Sequence, residues 1–483
     1  MVLSGEWTGD NEEIHEPHPV LPARSGGVTA NGGVSFWWQQ VGVPRPRPAL
    51  GSSLDVDVAI VGAGYTGLWS AYYLKKAQPD LRIAVLEARF AGFGASGRNG
   101  GWLTNSITGG AAHLARAHGR AAATAQQRAL NATVDEVIAV AASEGIDADI
   151  HKGGELNVAY TPAQHARLLA DAQAAKKWPG TDVELLSGTD SAERINVAGT
   201  LGGLWHPHCA RIHPVKLVRG LADVVERLGV TIYENTPVLG ISRGRVDTVF
   251  GPVRAQRILR ATEGFTANLR GEHRTWLPMN SSMIVTEPLP QDVWDSIGWQ
   301  GRETLGDYAH VYMYAQRTAD DRIAFGGRGV PYRYGSAVDS DGSTQTQAIA
   351  GLAALLRRFF PAACSAKIDH AWSGVLGVPR DWSAMVDYDR TTGLGYAGGY
   401  VGTGVTATNL AGRTLCDLVL ARDTELTHLP WVGHRSRKWE IEPLRFIAVH
   451  GLYAAYRAAD RAEQRGRTTS SPLARVADAV SGR

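Results

Sequence analysis

Six consecutive residues, Gly62-Ala63-Gly64-Tyr65-Thr66-Gly67, and a carboxylate at Glu87 are spaced to hold a dinucleotide. Gly62 permits a tight turn, Gly64 leaves the backbone open to a pyrophosphate, and Gly67 lets a helix lie close to a strand. Free amides at that helix N-terminus then point at the phosphates. Glu87 stands twenty residues past Gly67, where an acid suits the two hydroxyls of an adenosine ribose and repels a 2'-phosphate. Ala88 and Arg89 continue the same edge. A second cluster, Gly92-Phe93-Gly94-Ala95-Ser96-Gly97-Arg98-Asn99-Gly100-Gly101, has five glycines in ten residues. Such a segment makes a poor helix. It can instead offer backbone amides to a bulky planar ligand, with Arg98 supplying a cation for the diphosphate.

These residues need elements to position them. Val58 to Val61 is a short apolar run of strand type, and a helical pattern follows through Leu68, Ala71, Tyr72 and Leu74. Arg82 to Leu86 reads as a second strand, which completes a strand, turn, helix and strand order. Pro214 to Leu228 reads as a helix, followed by a turn at Gly229 and a strand that runs toward Pro237 and Val238. Arg257 to Arg260 is a strand leading into Ala261-Thr262-Glu263-Gly264. Near the C-terminus, Leu394 to Ala397 is a strand. Gly398 to Val405 is glycine-rich, and a helix follows from about Thr406 to Ala421.

The fingerprint, the GxGASGRNGG loop and the later pieces together resemble the D-amino acid oxidase superfamily of FAD-dependent oxidoreductases. The likeness is strongest to its gamma-glutamylputrescine oxidase-like and glycine or sarcosine oxidase-like branch. The resemblance implies an α/β chain, α+β overall. A Rossmann-type FAD-binding domain is expected beside a discontinuous second domain on a mainly antiparallel sheet. It also implies that Pro237 and Val238 meet the adenine, and that Thr262 and Gly264 flank the cofactor. Relatives carry Asn or Gly where this chain has Glu263. Gly402, Thr403, Gly404, Val405 and Thr406 would set amides and the positive end of a helix dipole near the flavin's pyrimidine edge. No cysteine lies in an attachment motif, and Arg98-Asn99 occupies the place where some branches carry a linking histidine, so the expected FAD is non-covalent.

The implied chemistry is hydride transfer from a carbon beside an amine nitrogen to flavin N5. Water then hydrolyses the imine, and O2 reoxidises the flavin to give H2O2. The substrate would be a small amine or amino acid. Alternatives on the same fold are an amine dehydrogenase using a quinone or carrier protein, a 2-hydroxy acid oxidase, and a non-catalytic flavoprotein subunit. Substrate-pocket candidates are Trp102, Tyr312, Tyr314, Arg328 and Trp372. Trp102 follows the flavin loop and either walls the pocket or packs in the core. Alternation along His310 to Tyr314 puts Tyr312 and Tyr314 on one face, with sheet packing as the other reading. Arg328 follows a Gly-Gly turn and either receives an anionic group or is an ordinary surface arginine. Trp372 precedes a Ser-Gly turn that resembles the family's strand beside the flavin. His206 and His208 read as hydrogen-bonded loop histidines rather than metal ligands, and no metal is expected.

Composition agrees with a soluble globular protein. The 483 residues are 44% hydrophobic and 20% charged, with a formal net charge of +2. That balance, without basic runs interleaved with aromatics, gives no argument for nucleic acid. Cys209, Cys364 and Cys416 are scattered, which indicates neither a disulfide framework nor a zinc site. Met1 to Arg24 is polar and lacks the apolar core of a signal peptide. No apolar run reaches the length of a membrane span, so a cytoplasmic location is expected. Oligomeric state is not legible. The expected organisation is a lead-in over 1–50, FAD-binding pieces at 51–105, 190–265 and 360–425, and substrate-domain pieces at 106–189 and 266–359. A C-terminal helix and loose tail would occupy 426–483.

Overall fold

The computed structural model describes residues 28–327, 329–338 and 341–481. The polar segment Met1 to Arg24 and the candidate Arg328 lie outside the described residues.

Two large sheets carry the chain. In the smaller, strand Leu54–Val61 is flanked by parallel strands Ile83–Leu86 and Gly251–Arg260. Thr231–Tyr233 continues the parallel array on one side and Leu394–Gly398 on the other. Residues Val58 to Val61 are buried on both faces, as expected of strands covered by helices. Helices Tyr65–Ala77, Pro214–Arg227 and Gly404–Val419 supply part of that cover, and their apolar faces meet in one core. Gly412 is needed where two helices touch, because a Cβ there would stand 2.7 Å from the Trp69 side chain.

The nine-stranded sheet is mixed. Its order is Val28–Asn31, Ile368–Val378, Leu277–Thr286, Ile323–Gly327, Tyr314–Arg317, Thr304–Asp307, Glu155–Ala159, Gly202–His206 and Glu184–Ser187. Most pairs are antiparallel, with parallel contacts only at the Val28 and Thr304 strands. Several memberships differ from the sequence reading. Gly202–His206 and Ile368–Val378 fall within the expected FAD-binding pieces, yet both are strands of this sheet. Val28–Asn31, within the expected lead-in, forms its edge. Leu277–Thr286, buried throughout, lies within the expected substrate-domain piece 266–359.

His310 to Met313 are not strand. The element starts at Tyr314, because the Asp307 carboxylate accepts from Met313 N and holds the preceding residues in a turn. The C-terminal segment also differs from a single helix with a loose end. Helix Leu444–Gln464 is followed by helix Pro472–Ser481, and the two pack through Tyr456, Ala459, Ala474 and Ala477. Among the described residues, no helix is long and apolar enough to cross a membrane.

Candidate active site

A cleft of about 480 Å³ opens at the C-terminal ends of the parallel strands, where open α/β sheets bind ligands. Gly62 has φ +105°, and a Cβ there would stand 2.5 Å from the Ala261 carbonyl oxygen. At Gly67 it would stand 2.0 Å from the Gly62 oxygen. Glu87 sits beside this turn and accepts from Ala63 N at 2.8 Å and Arg89 N at 3.0 Å. Burial pushes its carboxyl up, and those amides partly counter the shift.

The glycine loop is rigid rather than loose. Residues Ala95–Gly97 form a 3-10 turn, and Ser96 Oγ accepts from Tyr65 N at 2.9 Å. Each of five successive carbonyls then receives a donor from a distant segment. Gly97 O accepts from Ser35 Oγ, Arg98 O from Trp372 Nε1 and Asn99 O from Trp37 Nε1. Gly100 O accepts from Gln316 Nε2 and Gly101 O from Ile212 N. Buried carbonyls need such partners. The aromatic run Phe36-Trp37-Trp38 therefore buttresses the loop from behind.

Two residues expected at the ligand are engaged by the loop itself. Arg98 donates through Nε to Phe93 O at 2.8 Å, and its guanidinium lies 4.4 Å over the Phe93 ring. It lines the neighbouring chamber and not the dinucleotide cleft, with its Nε spent on a carbonyl of its own loop. Trp372 is fully buried between Phe36, Trp37 and His370. It lines neither cavity, because its indole serves the back of the loop.

Most of the remaining cofactor candidates do line the cleft. They are Gly62, Gly64, Tyr65, Thr66, Glu87, Ala88, Arg89, Gly94, Ala95, Ser96 and Asn99 from the N-terminal pieces. Pro237, Val238, Thr262, Gly264, Gly402, Gly404 and Val405 come from far along the chain. Ala63 and Gly67 shape the turn behind it. Gly97, Gly101 and Thr406 face neither cavity, and Gly100, Trp102 and Thr403 face the chamber instead. Helix Gly404–Val419 starts at this cleft with no side-chain cap on its first turn, which leaves amides and a positive dipole end for a ligand. Glu263, the departure from the family pattern, is turned to structural use. Its carboxylate accepts from Gly399 N at 2.8 Å, Gly377 N at 3.2 Å and Tyr400 N at 3.3 Å. Burial raises it to about 7, although those amides and Arg260 pull the other way.

A second cavity of about 830 Å³ meets the cleft at Ala95, Asn99, Leu376, Gly402 and Val405. Trp102, Tyr312 and Tyr314 line it. Trp102 Nε1 donates to Ala315 O at 3.2 Å and the ring meets Tyr314 edge-on. The Tyr314 ring lies over Gly100 and Gly326, where a Cβ would come within 2.7 Å and 2.3 Å of it, and its hydroxyl pairs with Ser281 Oγ. Tyr312 is more peripheral, at 37% exposure.

Glu155, missed from sequence, is a buried member of this chamber wall. Burial alone would raise its carboxyl, yet His206, Thr104 and Asn157 hold it below the usual carboxylate range. Thr104 Oγ1 donates at 2.6 Å and Asn157 Nδ2 at 2.9 Å. His206 Nε2 lies 3.6 Å from the carboxylate and His208 pairs with Asp182. Both acids are distant in sequence, so no local spacing announces either pair.

The profile of the DAO family, described as FAD dependent oxidoreductase, matches residues 57–418. The chain belongs to this family. Gamma-glutamylputrescine oxidoreductase of Escherichia coli is 31% identical over 429 residues, which span 85% of this chain and 95% of that protein. Glycine oxidase of Bacillus licheniformis is 22% identical, over 75% of this chain and 93% of its own. In structure, glycine oxidase from Geobacillus kaustophilus superposes with TM-score 0.66 at 20% identity, covering 79% of this chain and 99% of that one. The protein is thus an FAD-dependent oxidoreductase of the DAO family. The residues present fit the cofactor: the turn at Gly62 has no room for a side chain, the Glu87 carboxylate lines the cleft beside it, and an uncapped helix N-terminus lies at the same cleft.

Proposed function

We propose that this DAO-family protein oxidises the C–N bond of a small amine or amino acid, with O2 as electron acceptor. The observation that carries the reading is the junction of the two cavities at Ala95, Asn99, Leu376, Gly402 and Val405. It lets a substrate in the chamber reach a cofactor in the cleft. The names of the relatives, which include an oxidoreductase of gamma-glutamylputrescine and glycine oxidases, support an amine or amino acid. FAD bound in the cleft supplies a two-electron acceptor for the substrate's α-hydride.

The chain's own residues bind, orient and shield. Pro237, Val238 and Glu87 would hold the adenosine end, and the amides beginning helix Gly404–Val419 would favour negative charge at the opposite end. Trp102 and Tyr314 form an apolar wall that displaces water and orients a carbon chain. Glu155, whose carboxyl is held below the usual carboxylate range in the same wall, favours a substrate bearing a cationic nitrogen over a 2-hydroxy acid. Over one turnover the amine carbon loses two electrons, one O2 becomes H2O2, and one water hydrolyses the imine to a carbonyl compound and an amine or ammonia.

The test is peroxide release in air by purified holoenzyme across primary amines, N-methyl amino acids, diamines and 2-hydroxy acids. Turnover of an amine with peroxide formed in equal amount is expected. Reduction by an amine without peroxide would replace O2 by another acceptor, and turnover of hydroxy acids alone would remove the amine reading. Glu155→Gln should raise KM for the best amine about tenfold, the effect of losing roughly 1.4 kcal/mol of charge-assisted binding.

A further inference from the structure

Away from the cleft and chamber, a third cavity of about 350 Å³ lies between helix Phe36–Val41, the start of helix Pro214–Arg227 and the turn after strand Tyr314–Arg317. Arg211 reaches its floor. It is 7% exposed, its Nε is buried without a hydrogen-bond partner, and its guanidinium makes no ion pair among the described residues. Its neighbours Arg302 and Arg317 are both tied to Asp321. Burial chiefly, then Arg302 and to a lesser degree Arg317, lowers Arg211 to about 10, although Asp149 and Asp321 pull the other way. An unpaired buried cation is costly and signals a missing counter-charge.

Neither acid in the wall forms an ion pair with Arg211, although Asp149 acts on it at longer range. Asp149 is engaged by Lys216 Nζ at 2.7 Å. Asp320 is engaged by Arg322 Nε at 2.7 Å, with Gln40 and Thr318 donating to it as well. His213 caps the helix, its Nδ1 accepting from Lys216 N and its Nε2 facing Gln40 Oε1 at 3.2 Å. Burial lowers it to about 4, so it stands neutral with its proton on Nε2. The 14-residue helix Pro214–Arg227 adds the positive end of its dipole to the same space.

We propose that this cavity is an anion-binding subsite, built on Arg211, that takes a phosphate or carboxylate group. The two sources share one chemistry, a small oxyanion accepting from a planar guanidinium. The subsite backs onto the loop that bounds the dinucleotide cleft: Gln316 donates to Gly100 O and Trp37 to Asn99 O, and both residues line it.

The experiment is thermal unfolding of full-length holoenzyme, in excess FAD and at fixed ionic strength, titrated with inorganic phosphate, malonate or chloride. A saturable rise in Tm of a few degrees is expected with phosphate or malonate, and whichever of the two acts at lower concentration identifies the source. Arg211→Gln should abolish the saturable rise, and Arg211→Lys should retain it at higher concentration. Ala319→Trp, on the exposed rim, blocks the mouth without touching the ion pairs and should also abolish it, which serves should the arginine variants not fold. Wild type without a saturable response to either oxyanion overturns the proposal. A response undiminished in Arg211→Gln or Ala319→Trp does the same.

Discussion

Replacing Glu263 by Gln should destabilise the protein in mild acid and stabilise it in mild base. The carboxylate is the common acceptor for three amides, from Gly377, Gly399 and Tyr400, and so ties strand Ile368–Val378 to the turn before helix Gly404–Val419. Burial raises it from an ordinary 4.5 to about 7. An acid with a raised folded value adds stability that is complete below 4.5 and is lost as pH climbs through 7. Between pH 5 and pH 8 this loss amounts to about 2.5 kcal/mol, since a tenfold change in a protonation equilibrium is worth about 1.36 kcal/mol. Gln does not titrate. It keeps one oxygen acceptor and turns an NH2 toward the donors, which costs about 1 kcal/mol at any pH. The variant should therefore be less stable at pH 5, where Glu263 is mostly protonated, and more stable by about 1 to 2 kcal/mol at pH 8. Urea unfolding of both proteins at pH 5, 6, 7 and 8, in the same excess of FAD, isolates the effect of this carboxyl, because every other titrating group cancels in the difference. A stability difference that does not change across this range would refute the account of Glu263 as a buried acceptor that resists ionisation.

Other consequences can be checked separately. Gly67→Ala puts a Cβ 2.0 Å from the Gly62 oxygen, so bound flavin, read by absorbance after gel filtration, should fall more than tenfold even where the variant folds. Glu87→Ala removes the acceptor for Ala63 N and the acid at the ribose position. FAD affinity by equilibrium dialysis should drop by about 2 kcal/mol, roughly 30-fold, with little change in Tm of the apoprotein. Glu463 is buried against Arg167 and His310, and although burial opposes it, those partners lower its carboxyl to about 2. Its contribution is present above 4.5 and lost as pH falls toward 2. Glu463→Gln should release the C-terminal helix pair to proteolysis at neutral pH and make that cleavage insensitive to acid.

The dinucleotide half of the site is legible in the sequence because it is local. Turn, helix and strand follow one another within some thirty residues, and two of the three glycines are required by contacts made nearby in the chain. Gly67 meets Gly62, and Gly64 meets Ser96. The loop at Gly92 is legible as a ligand-binding segment, but its rigidity is not. The groups that satisfy its carbonyls come from Ser35, Trp37, Ile212, Gln316 and Trp372, and hydrogen bonds across such separations leave no periodic trace. For the same reason Arg98 and Trp372 read in the sequence as ligand contacts, whereas in the fold they serve the loop.

By itself the sequence determined the dinucleotide turn and the parallel unit that presents it, since backbone conformation and short-range spacing dictate both, while FAD and the later segments that complete the cleft followed from the resemblance to a family. Only tertiary structure decided which strands form the second sheet, that partners hold the Glu155 carboxyl below the usual carboxylate range, and that Arg211 is buried without an ion-pair partner among the described residues. Those properties depend on burial and on partners brought together by folding. A charge in water and the same charge in a cavity are spelled by the same letter.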